Sequence, residues 1–143
     1  MRPSTRLTVA IHILTLLADG SADGQPMTSE YLAGSVNTNP VVIRRLLALL
    51  REAKLVRSQG GPGGGWQLVV PAARITLRDV YRAVESDPLF PLHASTPNPR
   101  CRVGRNIQSI VSGRYEQAQR AVEEELEATT IADLLREVRT RAG

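Results

Sequence analysis

Residues 60–65 read GGPGGG, five glycines around one proline. No regular element survives that run, because each glycine loses the most backbone entropy on ordering and the proline has no N–H for a ladder or helix. The chain must reverse there. On its far side Trp66, Leu68 and Val70 alternate with Gln67 and Val69, the period-two pattern of a half-buried strand. Residues 55–70, LVRSQGGPGGGWQLVV, are therefore expected to form strand, turn and strand. A phosphate-binding loop is a poorer account, since no Gly-Lys-Ser/Thr ending follows. The dinucleotide fingerprint fails too, because this loop runs into a strand and not a helix.

The residues just before the hairpin, TSEYLAGSVNTNPVVIRRLLALLREAKL, read as a short helix, a turn and a second helix. Asn39 is a good cap for the second helix and Pro40 suits its first position, where no N–H is needed. Ile43, Leu46, Leu47 and Leu50 recur at i, i+3, i+4 and i+7 and make one buried face. Val41, Arg44, Arg45 and Ala48 fall opposite, with Arg51 close by. A helix-turn-helix puts such a face into the DNA major groove, N-terminal end first, and an arginine fork can bond guanine O6 and N7 together. Taken alone, the same pattern fits a solvated basic helix in a bundle. The hairpin that follows decides for a winged helix-turn-helix, with Arg57, Ser58, Gln59 and Gly60 where the wing meets the DNA backbone or minor groove.

The chain has 143 residues, enough for one compact domain or a head with an extension. Its basic charge is almost all arginine, Lys54 being the only lysine. Residues 1–83 hold 10 basic and 5 acidic groups; residues 84–143 hold 8 and 9. The excess thus sits on the winged half, the footprint of a polyanionic partner. Aromatics are scarce, which disfavours single-strand binding by base stacking. The N-terminus, MRPSTRLTVAIHILTLLADGSA, imitates a signal peptide, yet Thr8, His12, Thr15 and Asp19 draw a polar stripe that a secretory core does not need. It is read as a first helix over residues 4–19, capped by Ser4 and stopped by Gly20, in a cytoplasmic protein. No apolar run is long enough to span a bilayer.

Beyond the hairpin, Thr76 and Asp79 form a capping-box start for a helix burying Leu77, Val80, Tyr81 and Val84. Residues 86–103 carry Pro88, Pro91, Pro97 and Pro99 and form a loop. A long helix follows from about Gly104 to Ala128, with Ile107, Val111, Tyr115, Ala118, Val122 and Leu126 spaced by four and three like a coiled-coil seam. A last helix starts at Thr130 and Asp133 and turns Ile131, Leu134, Leu135 and Val138 inward. The expected division is residues 1–85 as the DNA-binding head, 86–103 as a linker and 104–143 as a helical dimerisation region.

These features resemble a known family. RLTVAIHILTLLA, TSEYLAGSVNTNPVVIRRLL, GPGGGWQL, ITLRDVYRAVE, NPRCRVGRNIQ and TIADLL together look like the Rrf-two family of bacterial winged-helix regulators (IscR, NsrR and RirA). Within it the chain is most similar to the YwnA-like subgroup, which has a single cysteine in the NPRCRVG position. The resemblance implies a mainly α (α+β) fold, a winged helix-turn-helix head plus a long C-terminal dimerisation helix, forming a homodimer through Ile107, Val111, Tyr115, Ala118 and Val122. It implies a repressor reading a palindromic operator in double-stranded DNA. Base and backbone contacts are expected from Thr28, Ser29, Asn39, Pro40, Val41, Arg44, Arg45, Arg51, Arg57, Ser58, Gln59 and Gly60.

Chemical residues are few. Family members that hold an iron–sulfur cluster use three closely spaced cysteines before the long helix, and this chain has Cys101 alone. No cofactor and no metal are therefore expected. Arg100, Arg102 and an adjacent helix start favour the thiolate, so Cys101 is read as a redox sensor against the alternative of an inert small residue. His12 and His93 lack ligand spacing and are read as hydrogen-bonding residues. A thiol-peroxidase pairing of Cys101 with His93 finds no supporting fold pattern, so no enzyme activity is expected. The signal is left open between an oxidant and a small molecule held between head and long helix. A winged module that binds only protein is the other class, separable by the salt dependence of DNA binding.

Overall fold

The computed structural model describes residues 4–20 and 25–142. The first three residues of the signal-like N-terminus and its residues 21 and 22 lie outside that range. The described chain is mainly helical, with six α-helices and one two-stranded antiparallel hairpin.

Helix α1 spans Arg6–Gly20 and buries Ala10, Ile13, Leu14, Leu17 and Ala18. It begins two residues later than the sequence suggests. Ser4 Oγ accepts from the Arg6 N–H, and the Thr5 carbonyl takes the first helical bond from Val9. Helix α2, Ser29–Val36, starts at Thr28, whose hydroxyl accepts from the Tyr31 N–H. It ends at Asn37 in the left-handed region (φ 62°), which asparagine tolerates better than most residues. Two residues later Asn39 caps α3, Pro40–Glu52, accepting from the Val41 N–H at 2.8 Å. The expected face, Ile43, Leu46, Leu47 and Leu50, is buried against α1 and α2. Each such side chain contributes roughly 1.5–3 kcal/mol of burial free energy.

Strands β1, Val56–Gln59, and β2, Gly65–Leu68, pair antiparallel with Val56 opposite Leu68 and Gln59 opposite Gly65. Gly61 and Gly63 turn the wing tip at φ 79° and 75°. The alternation expected along β2 is muted: Trp66, Gln67 and Leu68 are all half-buried. A contact invisible in the sequence explains this. Met27 bridges to Trp66 with two backbone hydrogen bonds of 3.0 and 2.8 Å, adding a one-residue third rung. Gly65 permits it, since a Cβ there would meet the Met27 carbonyl oxygen.

A 3-10 turn, Ala72–Arg74, leads to α4, Leu77–Val84, opened by the expected capping box of Thr76 and Asp79. Residues 85–103 contain no helix or strand. Helix α5, Gly104–Glu127, is 24 residues long, roughly 36 Å at the standard rise, and buries none of its residues. Helix α6, Ile131–Ala142, opens with a second capping box, Thr130 with Asp133. The backbone and side-chain hydrogen bonds from Thr130 hold the Asp133 carboxyl below its ordinary range.

Two features of the C-terminal part could not be read from its spacing. Helix α6 joins the head, with Ile131 and Leu135, turned inward as expected, in the same core as α1 and α3. It packs on α1, where Arg139 pairs with Asp19 at 3.1 Å, and this leaves Val138 on the outside at 54% exposure. In α5, Tyr115 does not lie on the outward seam. It turns to the chain's own loop, against Phe90 with ring centroids 5.4 Å apart. Two successive steps of four, 107 to 111 to 115, carry Tyr115 about 80° round a straight helix from Ile107. The outward apolar stripe is instead Ile107 and Ile110 with Val111, Ala118 and Ala121 on the same side.

Candidate nucleic-acid interface

The helix pair and the wing hold the expected residues on exposed backbone. Thr28, Asn39, Val41, Arg44, Arg45, Arg51, Arg57, Ser58, Gln59 and Gly60 are exposed, and Pro40 is half-buried. Ser29 is the exception: only 8% exposed, it faces the core and has little to offer a ligand. Thr28 and Asn39 also use their side-chain oxygens as helix caps, so each has a fixed rotamer and a structural duty.

The arginines differ in their commitments. Arg44 Nη2 pairs with Glu30 Oε1 across the turn at 3.3 Å, both groups largely in water. The Arg51 guanidinium lies over the Trp66 ring, 5.6 Å from its centroid, and so joins α3 to the wing. Arg57 Nη2 donates to Gln67 Oε1 at 3.4 Å, across the hairpin. Arg45 has no ion pair or hydrogen bond among the described residues. The face thus presents one free guanidinium, one in a weak exposed pair and two positioned by the wing. Glu30 was not foreseen as a member: it stands 14 residues from Arg44, beyond any local spacing rule.

Head and long helix are joined by charge. Arg82 Nε donates to Glu123 Oε1 at 2.6 Å, and Arg78 Nη1 to Glu127 Oε2 at 2.8 Å. The Arg82 hydrogen bond, helped by Gln119 and the charge of Arg78, keeps the Glu123 carboxyl below its usual range. Gln119 Nε2 also donates to the buried Tyr81 hydroxyl at 2.8 Å. A shift of α5 would therefore be felt in α4.

Cys101 is exposed, three residues before α5. Its N–H donates to the Asn98 carbonyl and its own carbonyl accepts from Arg105, so the backbone around the thiol is fixed. Both histidines make the hydrogen bonds expected of them: His12 Nε2 lies 2.9 Å from Ser35 Oγ, and His93 Nδ1 accepts from the Ser95 N–H. No three of His, Cys, Asp and Glu among the described residues are grouped as a metal would need. No described helix is long and apolar enough to cross a membrane.

A helix-turn-helix with a glycine wing and arginines on the outward face of its second helix is the architecture of a DNA-binding regulator. The sequence profile of the Rrf2 family, described as an iron-dependent transcriptional regulator, matches residues 3–137, and the chain belongs to that family. It is a transcriptional regulator and not an enzyme. YwnA of Bacillus subtilis, which bears the name of an HTH-type transcriptional regulator, is 44% identical over 133 residues, 92% of this chain and 96% of that one. A crystal structure titled as that of a DNA-binding protein is 40% identical with a TM-score of 0.73, covering 91% of this chain and 98% of its own. The oxidised form of CymR from Staphylococcus aureus is 26% identical with a TM-score of 0.64, covering 94% and 96%. The iron in the family's description does not fit this chain's donors. One thiol, with no acidic or imidazole cluster beside it among the described residues, is too few ligands for the usual iron site.

Proposed function

We propose that the protein is a homodimeric repressor that binds a palindromic operator in duplex DNA, acts in the cytoplasm, and is released by oxidation of Cys101. The observation that carries the DNA reading is the exposed arginine face of α3 beside the wing, with Arg45 unpaired among the described residues and Arg44 in a pair that phosphate or guanine can displace. Thr28, Asn39, Pro40 and Val41 would set the helix N-terminus against the backbone, and Arg57, Ser58, Gln59 and Gly60 would follow the adjacent groove. Arg51 supports the wing through Trp66.

The dimer rests on α5. A helix of this length with Ile107 at 40% and Ile110 at 58% exposure leaves an apolar stripe that a second copy would cover, with Val111 and Ala118 beside them. Val122, half-buried, would lie at its margin. Two heads held by that helix read two half-sites, which makes the operator palindromic. The division into head, linker and dimerisation helix is proposed in the same sense, with α6 assigned to the head.

The thiol reading rests on the exposure of Cys101 in a fixed turn leading into α5, and on the solution of a structural relative in an oxidised form. A peroxide oxidant takes two electrons from the thiolate and leaves its oxygen on it as a sulfenic acid. Diamide takes two electrons and two protons from two thiols, joining Cys101 to that of a second copy or to a low-molecular-weight thiol as a disulfide, and a dithiol reverses either. The test is selection of binding sites from random duplex DNA, followed by affinity measurements on the selected operator. A two-fold symmetric site, occupied by the reduced protein and vacated with diamide, is expected; a Cys101→Ser variant should hold the site in diamide. An asymmetric site, or release of Cys101→Ser by diamide, overturns the dimer or the thiol reading respectively.

A further inference from the structure

Between α4, the proline loop and the inner side of α5 lies an open cavity of about 820 Å³, within the size range of small-molecule sites. The chain has only five aromatic residues, and three of them line this one cavity: Tyr81, Phe90 and Tyr115. Its charges divide by prior commitment. Glu85 is held by Arg6 and Ser4, and Glu123 holds Arg82. Asp87, Glu116 and Arg120 have no ion pair or hydrogen bond among the described residues, which leaves one net negative charge facing aromatic rings. That combination is wrong for an anion and suits a cation whose charge is spread over an apolar body, since ring faces and unpaired carboxylates both attract it.

We propose that this cavity binds a lipophilic organic cation, seated on Phe90 and Tyr115 with its charge against Asp87 and Glu116. The site lies on the opposite side of α5 from the Ile107 and Ile110 stripe, so a dimer formed through that stripe leaves it open. Because it bridges α4 and α5, occupancy shifts the head relative to the long helix and lowers operator affinity. That regulatory half rests on the DNA-binding dimer proposed above; the binding half does not.

Isothermal titration of the intact protein with tetraphenylphosphonium, without DNA, tests the site directly. Tetraphenylborate, an anion of nearly the same shape, is the control. One saturable cation per chain is expected, weakened about tenfold by Asp87→Asn combined with Glu116→Gln and about tenfold by Phe90→Ala. Unaltered thermal melting of these variants shows that the fold is kept. No saturable binding, binding indifferent to all three substitutions, or a Phe90-dependent site that takes the borate as tightly overturns the site. Cation binding that leaves the affinity for the selected operator unchanged overturns the regulatory half alone.

Discussion

Removing Arg45 should cost operator binding more than removing Arg44, and the reason is Glu30. A bidentate arginine–guanine contact is worth about 1–3 kcal/mol of discrimination. Arg45 brings an uncommitted guanidinium to that contact. Arg44 must first leave Glu30, a 3.3 Å pair whose side chains are 53% and 69% exposed. Exposed pairs of this kind contribute about 0–1 kcal/mol, so the net loss on Arg44→Ala shrinks by that much. Arg45→Ala is expected to weaken specific binding by about 1–3 kcal/mol and Arg44→Ala by up to about 1 kcal/mol less than that. Glu30→Gln should tighten binding by up to about 1 kcal/mol, because it frees Arg44 and removes a like charge from the phosphates. In an Arg44→Ala background the gain should fall, and that difference is the coupling between the two side chains. Fluorescence anisotropy on the selected operator at one fixed salt concentration gives all four numbers. None of these side chains touches the core, so thermal melting should be unchanged. Normal operator binding by both arginine variants would refute the placement of α3 in the groove.

Three further outcomes are expected. Arg57→Ala, on the wing, should weaken all sequences alike and reduce the slope of log K against log salt by about 1, the loss of one phosphate contact; an unchanged slope removes the wing from the DNA. Ile110→Glu, outward on α5, should give a folded monomer in sedimentation with the loss of operator binding, since one head lacks the second half-site; a stable dimer refutes the stripe. Asp133 has a lowered carboxyl pKa, so its capping box contributes fully above the ordinary value of 3.8 and fades as pH falls through the lower folded one. The melting-temperature deficit of Asp133→Asn should therefore be present near neutral pH and shrink in strong acid.

Local rules carried most of the fold. The Asn39 and Pro40 start of α3, the boxes at Thr76 and Thr130, and the buried face of Ile43, Leu46, Leu47 and Leu50 each follow from contacts within one or two helical turns. What sequence spacing missed depends on partners far apart in the chain. The Met27 rung on Trp66 exists because the approach to α2 happens to run beside β2, and only the glycine at 65 hints at so close a backbone. The return of α6 to the head is of the same kind. Its amphipathic pattern says that Ile131 and Leu135 are buried, and says nothing of which surface buries them.

The candidate DNA face was legible for a reason that the long helix was not. On α3 the inward and outward residues separate cleanly, because one whole side is fixed by the core and the charged remainder has nowhere else to go. On α5 two apolar sides compete. One, with Tyr115, turns to Phe90 and the aromatic cavity of the same chain; the other, with Ile107 and Ile110, faces outward. A pattern drawn through Ile107, Val111, Tyr115, Ala118 and Val122 mixes the two, because its steps are four, four, three and four residues and the paired fours carry Tyr115 about 80° round from Ile107. Under the proposed function the two sides of one helix take different duties. The outer stripe would be the surface for a second copy, and the inner side, tied to α4 by Arg82 and Glu123, would be where a change in α5 reaches the head. Ile110→Glu and Phe90→Ala address these sides independently, so a variant that loses assembly should keep the cavity, and one that loses the cavity should keep assembly.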